Sequence, residues 1–349
     1  MKLSYKNISY AYGSTPVLSE LNFEANAGEI TCLLGPSGGG KSTLLRLAAG
    51  LEHVQKGSIE VGGDVMASPG YSLAPEKRPV GMMFQEIALF PNMTIAQNIG
   101  FGIADLPESE RQARISELLE MAGMIDFSSR HPHELSGGQQ QRVALLRSLA
   151  PQPKVLLMDE PFASIDITLR RPLREATRLI LKQSHTTAVM VTHDPPEAME
   201  MADTIAVLDH GRVLQVGSPQ AVFEQPASAS VAELFGDAQR FKVRREGELL
   251  ASAYGPIALA GREIKLADGQ EAELVARPSG LNLRHDNSSA LELADLRFVG
   301  DAWIAFLKLH DADGALPALR VIVDSSQGLA LGDKVAITAA GKEKGFYLF

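Results

Sequence analysis

Three short stretches of the 349-residue chain carry residue types that could do chemistry on a phosphate. Gly35-Pro36-Ser37-Gly38-Gly39-Gly40-Lys41-Ser42-Thr43 fits the spacing G-x-x-x-x-G-K-[ST]. Glycines let the backbone wrap phosphate oxygens closely, and N–H groups at a helix start point at the anion. Lys41 adds a positive charge near the β- and γ-phosphates, and the Ser42 hydroxyl can ligate Mg2+. The second stretch is Asp159-Glu160, after the apolar run Val155 to Met158. Carboxylates at the C-terminal end of a parallel strand lie where such sheets bind ligands. Asp159 can hold Mg2+ through water, and Glu160 can accept a proton from, or orient, an attacking water. The third is Leu135-Ser136-Gly137-Gly138-Gln139, which precedes a helical pattern with Val143, Leu146 and Leu149. Its N–H groups make a second anion site at a helix start. Two phosphate-reading helix ends in one chain suggest a nucleotide held between two surfaces.

These stretches need elements that hold them. Ile30 to Leu34 reads as a buried strand leading into the first glycine loop, and Leu44, Leu45 and Leu47 follow as a helix ending at Gly50. Val155–Met158, Ala188–Thr192 and Thr204–Leu208 read as further buried strands. Near-continuous apolar strands separated by helices predict a parallel sheet covered on both faces. Between about 90 and 150 the texture is helical, with Ile115, Leu118, Leu119 and Ala122 at helical spacing over Glu108 to Met121. Past about residue 235 short alternating runs are separated by Asp268-Gly269, Asp313-Gly314 and Gly332-Asp333, the pattern of a small β barrel or sandwich.

Composition narrows the class. The single cysteine, Cys32, excludes an intrachain disulfide, fits a reducing cytoplasm and is expected in the core. No run approaches the ~20 apolar residues of a membrane span, and the first residues lack a signal-peptide layout. A net charge of −9 argues against broad nucleic-acid binding.

The order of these motifs is similar to that of the ATP-binding subunits of ABC transporters, whose signature is the LSGGQ at 135–139. The resemblance spans residues 1 to about 235. It implies an α/β P-loop NTPase cassette with a helical subdomain, an ATPase using ATP and Mg2+. It assigns Tyr12 to stacking on adenine, Gln85 to contact with Mg2+ and the attacking water, Ser164-Ile165-Asp166 to the D-loop with Asp166 a nucleotide-binding residue, and His193 to the γ-phosphate. It also implies a head-to-tail homodimer, in which the phosphates on Gly35–Thr43 of one copy meet Ser136–Gln139 of the other. Two integral membrane permease subunits, and indirectly a solute-binding protein, complete an importer. That places the chain peripherally on the cytoplasmic face of the inner membrane.

The apolar segment Ile87 to Thr94 reads as part of the groove receiving the membrane subunits, with internal packing as the alternative. Residues 236–349 resemble the all-β, OB-like regulatory domain of importer ATPases, a dimerisation and regulatory module. Ala276-Arg277-Pro278 matches part of an Arg-Pro-Glu element, but Ser279 replaces its acidic residue. The region from Asp237 on holds 14 Lys+Arg and 16 Asp+Glu, with no basic stripe for nucleic acid. Pro172 is expected at or near the first turn of its helix, with a late start or a slight kink. The stretch Arg130 to Ser136 and the compact C-terminal region look most like ferric iron importers. Polyamine, sulfate, thiosulfate, phosphonate and sugar importers are alternatives, and a soluble ABC-type ATPase acting on nucleic acid or ribosomes is a remote one.

Overall fold

The computed structural model describes residues 1–309, 317–323, 328–340 and 345–349. The chain divides into two compact units, Met1–Gln220 and Ala221–Phe349.

The first unit contains two sheets. A six-stranded sheet is built from β3 (Ile30–Leu34), β7 (Val80–Met83), β8 (Val155–Asp159), β9 (Thr187–Thr192), β10 (Thr204–Asp209) and β11 (Arg212–Gly217), in the order β11-β10-β3-β9-β8-β7. Only β11 runs antiparallel to its neighbour. All residues of β3 and β9 are buried, as the unbroken apolar runs predict. The expected parallel sheet is therefore present, and Cys32 is fully buried within it.

The other sheet is antiparallel: β1 (Leu3–Tyr12), β2 (Thr15–Ala25), β4 (Lys56–Val61), β5 (Asp64–Ser68) and β6 (Tyr71–Ser72), ordered β2-β1-β4-β5-β6. Helix α1 (Lys41–Ala49) packs with both sheets in one core, and seven of its nine residues are buried. Gly50 ends it in the left-handed region (φ +83°), as the glycine stop predicts.

The helical region comprises α2 (Ile95–Gly100), α3 (Glu108–Met121) and α4 (Gly137–Leu149). Buried Asn98 on α2 fastens the preceding loop. Its amide donates to the carbonyls of Phe90, Met93 and Thr94, and its oxygen accepts from the Phe90 N–H. After β8 come α5 (Ile167–Gln183) and, after β9, α6 (Pro195–Met201). Helix α5 does not start late. It begins right after Asp166, so Pro172 lies in its second turn and the helix runs on to Gln183. The ring removes the N–H that would bond the Thr168 carbonyl, and the rest of the helix is held by burial of Leu173, Thr177, Ile180 and Leu181.

The second unit is strand-rich. It includes most of α7 (Pro219–Glu224), all of α8 (Ala229–Leu234), and the strands β12 (Gln239–Glu246), β13 (Leu249–Ser252), β14 (Gly255–Ala258), β15 (Glu271–Ala276), β16 (Leu281–His285), β17 (Leu291–Phe298), β18 (Trp303–Leu309), β19 (Leu319–Val323), β20 (Val335–Ala339) and β21 (Phe346–Leu348). They form a seven-stranded sheet, β16-β20-β14-β13-β12-β15-β21, and a three-stranded one, β17-β18-β19. Inward residues of both share one core, the alternation expected of an all-β unit. The structural division at 220/221 falls before the change of texture at 235/236, because α8 packs Ala229 and Ala232 against Val275 of β15. Gly269 and Gly332 take positive φ at their turns, and Asp313-Gly314 lies outside the described residues.

Candidate functional site

The first glycine loop joins β3 to α1, and two of its glycines are dictated by sterics. A Cβ on Gly35 would lie 1.9 Å from the Leu208 carbonyl oxygen. On Gly40, at φ +91°, it would lie 2.6 Å from Leu18. Lys41 opens the helix, and its Nζ donates to the carbonyls of Gly35 (2.9 Å) and Pro36 (2.8 Å). Burial lowers the Lys41 pKa, while the carboxylates of Glu160 and Asp159 act to raise it. The next residue, Ser42, donates its hydroxyl to Asp159 Oδ1 at 2.9 Å. Burial raises the Asp159 pKa; the Ser42 bond opposes this and Glu160 adds to it.

Parallel pairing carries the other groups to the same end of the sheet. β3 pairs with β9 and β9 with β8, so Leu34, Thr192 and Asp159 end neighbouring strands. Glu160 follows at φ +43°, a strained value for a residue with a side chain. Its backbone N–H bonds the Val191 carbonyl at 3.0 Å, which holds that turn against β9. His193, one residue past β9, places Nδ1 3.1 Å from Glu160 Oε1. With Glu160 ionised, Nδ1 carries the proton of that bond.

Behind His193 lies an acidic and basic cluster with no signature in the sequence. Arg174 of α5 bonds Asp194 (3.1 Å) and Glu200 (3.1 Å) and approaches Glu197 at 3.9 Å. Buried Glu197 accepts from the Thr192 hydroxyl at 3.0 Å, and that hydroxyl accepts from the Asp194 N–H. Burial pushes the Glu197 pKa up to about 7; Thr192 and Arg174 oppose the shift, and Asp194 adds to it.

A cleft of about 320 Å³ is lined by Tyr12, Val17, Ser37, Gly38, Gly39, Gly40, Lys41, Ser42, Thr43 and Glu160. The structure thus brings Tyr12, the glycine loop and Glu160 to one cavity, and His193 and Asp159 to its edge. Tyr12 ends β1 with its ring edge-on to Tyr10 (4.9 Å, 82°). Val17 was missed by sequence reasoning, since a valine on β2 looks like any strand residue.

Gln85, Asp166 and the second glycine motif stand apart from this cavity. Gln85 is exposed in the loop after β7. β7 pairs with β8 up to Met83 opposite Met158, two residues before Gln85. Asp166 is exposed and precedes α5. Leu135 is buried, while Ser136 caps α4. The Ser136 Oγ accepts from the Gln139 N–H (3.4 Å), and the Gln139 side chain accepts from the Ser136 N–H (2.9 Å). The Ser136 hydroxyl proton stays available for an acceptor outside the chain. Gly137 is exposed, and a Cβ on Gly138 would meet nothing within 4 Å, so neither glycine is demanded by packing around it. Buried Gln141 of α4 donates to the Pro161 carbonyl, tying this helix to the turn that carries Glu160.

A separate groove on the helical region is lined by Asn92, Met93, Gln97, Phe101, Arg111 and Ile115, among others. The Phe90 and Phe101 rings lie 4.3 Å apart, tilted by 40°, with the Arg147 guanidinium 5.3 Å above Phe90. The segment 87–94 is therefore part packed and part exposed, and Phe101 stays half exposed. In the second unit, Arg277 is buried 3.8 Å over the Phe223 ring and bonds the Tyr347 hydroxyl, whereas Ser279 is exposed.

Comparison with known proteins agrees with this geometry. The family described as ABC transporter matches residues 18–163. An Fe(3+) ions import ATP-binding protein, FbpC 2, of Rhodococcus jostii is 37% identical over 97% of this chain and 97% of its own. A sulfate/thiosulfate import ATP-binding protein, CysA, of Burkholderia mallei is 45% identical over 69% of each chain. Among solved structures, cbiO1 from Clostridium perfringens, part of the ABC transporter complex cbiONQ, matches with a TM-score of 0.58. It is 29% identical, over 63% of this chain and 89% of that one.

Proposed function

The chain belongs to the ABC transporter ATP-binding proteins, and from that premise we propose that it powers solute import with Lys41, Ser42, Asp159, Glu160 and His193 as its hydrolytic centre. The observation that carries this reading is the convergence of the Ser42–Asp159 and Glu160–His193 pairs, at 2.9 and 3.1 Å, beside the glycine loop.

In this reading Gly35 to Thr43 cradle the ATP phosphates by backbone N–H groups and the start of α1. Lys41 leaves its two carbonyl partners for β- and γ-phosphate oxygens. Tyr12 stacks on the base. Glu160 orients water for in-line attack on the γ-phosphorus and takes its proton as the β–γ bridging bond breaks, releasing ADP and phosphate. With ATP bound, His193 turns from Glu160 and donates a ring N–H to a γ-phosphate oxygen. The hydroxyl and carboxylate of Ser42 and Asp159 are hard oxygen donors 2.9 Å apart, a set that fits Mg2+ with retained waters, and Gln85 would have to swing in from its loop to join them. When bound, the ion neutralises charge on the phosphate oxygens.

A second copy would present Ser136, Gly137, Gly138 and Gln139 to the γ-phosphate, with Asp166 at the same face. ATP then binds the closed pair better than the open one, and that difference is what can move attached subunits. In each copy the groove beside Phe101 would receive one of the two permease subunits at the cytoplasmic face of the inner membrane. Among the described residues no helix is long and apolar enough to cross a membrane. Residues 236–349 would act as the OB-like regulatory module, with residues 1–235 as the cassette.

Ferric iron is the favoured solute, because several Fe(3+) import relatives are similar along 97% of both chains, as is one sulfate/thiosulfate import relative. Sulfate or thiosulfate is the second reading, favoured by the higher identity, 45%, over 246 residues. ATPase activity of the reconstituted transporter with ferric-loaded and with sulfate-loaded binding protein decides between them. Stimulation by the ferric-loaded protein alone supports iron, and stimulation by the sulfate-loaded one removes it. In the same assay Glu160→Gln is expected to cut turnover at least about 100-fold; full turnover would remove Glu160 from its role.

A further inference from the structure

Tyr12 is half exposed, yet it is held at several points. Past Gly50 the chain turns back along the tip of β1. There Gln55 stands in for a neighbouring strand: its side chain accepts from the Ala11 N–H and donates to the Ala11 carbonyl, each at 2.9 Å. Glu52 reaches the same tip with both oxygens. One accepts the hydroxyl of buried Tyr10 at 2.7 Å, and the other accepts that of Tyr12 at 3.3 Å. Tyr10 in turn sets its ring against the edge of Tyr12.

We propose that the strap Glu52–Gln55 positions the nucleotide base, with the Glu52 carboxylate fixing the ring plane of Tyr12 so that one face stays turned to the cleft. This rests on reading Tyr12 as the base platform.

The strap continues from α1, whose first residue is Lys41. Its far end is fastened by buried Arg78, which donates to the carbonyls of Leu47 and Ala48 at 2.7 Å each. At 1.5 Å per residue, α1 is a rod of about 13 Å. One rigid element thereby sets both the phosphate end and the base end of the site. A free exposed tyrosine would sample several rotamers and lose that freedom on stacking. Tethering Tyr12 beforehand removes part of the loss. Glu52 touches neither phosphate nor base in this scheme and is a positioning residue.

Binding of ribose-labelled fluorescent ATP to the full-length protein tests this, with inorganic tripolyphosphate as a base-free competitor. Base stacking on an aromatic ring implies that Tyr12→Ala weakens the labelled ATP about tenfold or more. Glu52→Ala should weaken it about three- to tenfold, and the double variant no more than Tyr12→Ala alone. Tripolyphosphate affinity should stay within about twofold in all three, since stacking is a base-only interaction. Tyr12→Phe removes only the tethered hydroxyl and should give about a threefold loss without touching Glu52.

Undiminished ATP binding in both Glu52→Ala and Tyr12→Phe, with Tyr12→Ala impaired, would overturn the clamp and leave the platform standing. Equal loss of tripolyphosphate in Glu52→Ala would overturn it too, as the sign of a deformed phosphate loop. A harmless Tyr12→Ala would remove the platform itself.

Discussion

Glu197 is the residue whose environment makes the clearest demand. Its carboxyl is buried under the turn that carries His193. Its pKa is raised from the ordinary 4.5 to about 7 by burial, against the pull of Thr192 and Arg174. The folded protein therefore keeps a proton that the unfolded chain releases between roughly pH 4.5 and 7, and stability must fall as pH rises through that window. The loss is complete above the folded pKa and amounts to at most about 3 kcal/mol. Glu197→Gln keeps an acceptor for Thr192 and cannot ionise. Its urea midpoint, set against that of the parent protein, is expected to gain as pH goes from 5 to 8. Parallel curves for the two proteins would remove Glu197 as the titrating group. Nothing in the sequence marks this residue. Its partners Arg174 and Thr192 lie on other elements, and only the fold shows that the four charged groups converge. Lys41, Ser42, Asp159 and Glu160 were legible because their chemistry is written in local spacing at a strand end or helix start.

The same contrast holds for whole elements. β3, β8, β9 and β10 follow from unbroken apolar runs, since a parallel strand buried on both faces has no polar side to show. The antiparallel sheet of β1, β2, β4, β5 and β6 was not read. Its long strands mix buried and exposed positions. β1 is further irregular, with shifted register between Tyr5 and Ala11, and Asn7 and Glu20 take positive φ without being glycine. The two glycine motifs look alike in sequence, but the structure separates their reasons. Gly35 is required by packing, so Gly35→Ala is expected to destabilise the unit by about 1–3 kcal/mol because a carbonyl, not a side chain, stands in the way. Gly138 is the second residue of α4 with open space around it. Gly138→Ala is expected to leave thermal stability unchanged, or to raise it by up to about 1 kcal/mol, while ATP turnover falls. A drop in melting temperature would show that Gly138 serves the fold and not the proposed facing nucleotide.

At the scale of the whole molecule, one chain supplies both halves of the proposed nucleotide sandwich but in two separate clefts. The glycine loop and Glu160 share a cleft with His193 bonded at its edge, whereas Ser136 and Gly138 line a separate one with Gln139 and Leu169. If two copies close head to tail on ATP, a variant that binds ATP without hydrolysing it should stay closed. Glu160→Gln is such a variant in the proposed mechanism. With ATP and Mg2+ it is expected to elute at twice the mass of one chain, and with ADP at the position it takes without nucleotide. Adding Ser136→Asp tests which surface meets the phosphate. Aspartate caps a helix as well as serine does and favours the positive end of the helix dipole, so α4 should persist. It also sets a carboxylate where the γ-phosphate would arrive, and like charges at that distance repel. The double variant should therefore bind labelled ATP as Glu160→Gln does yet lose the ATP-dependent increase in mass. An increase that survives Ser136→Asp would mean that the copies meet through some other face, and that LSGGQ does not close over the nucleotide in this protein.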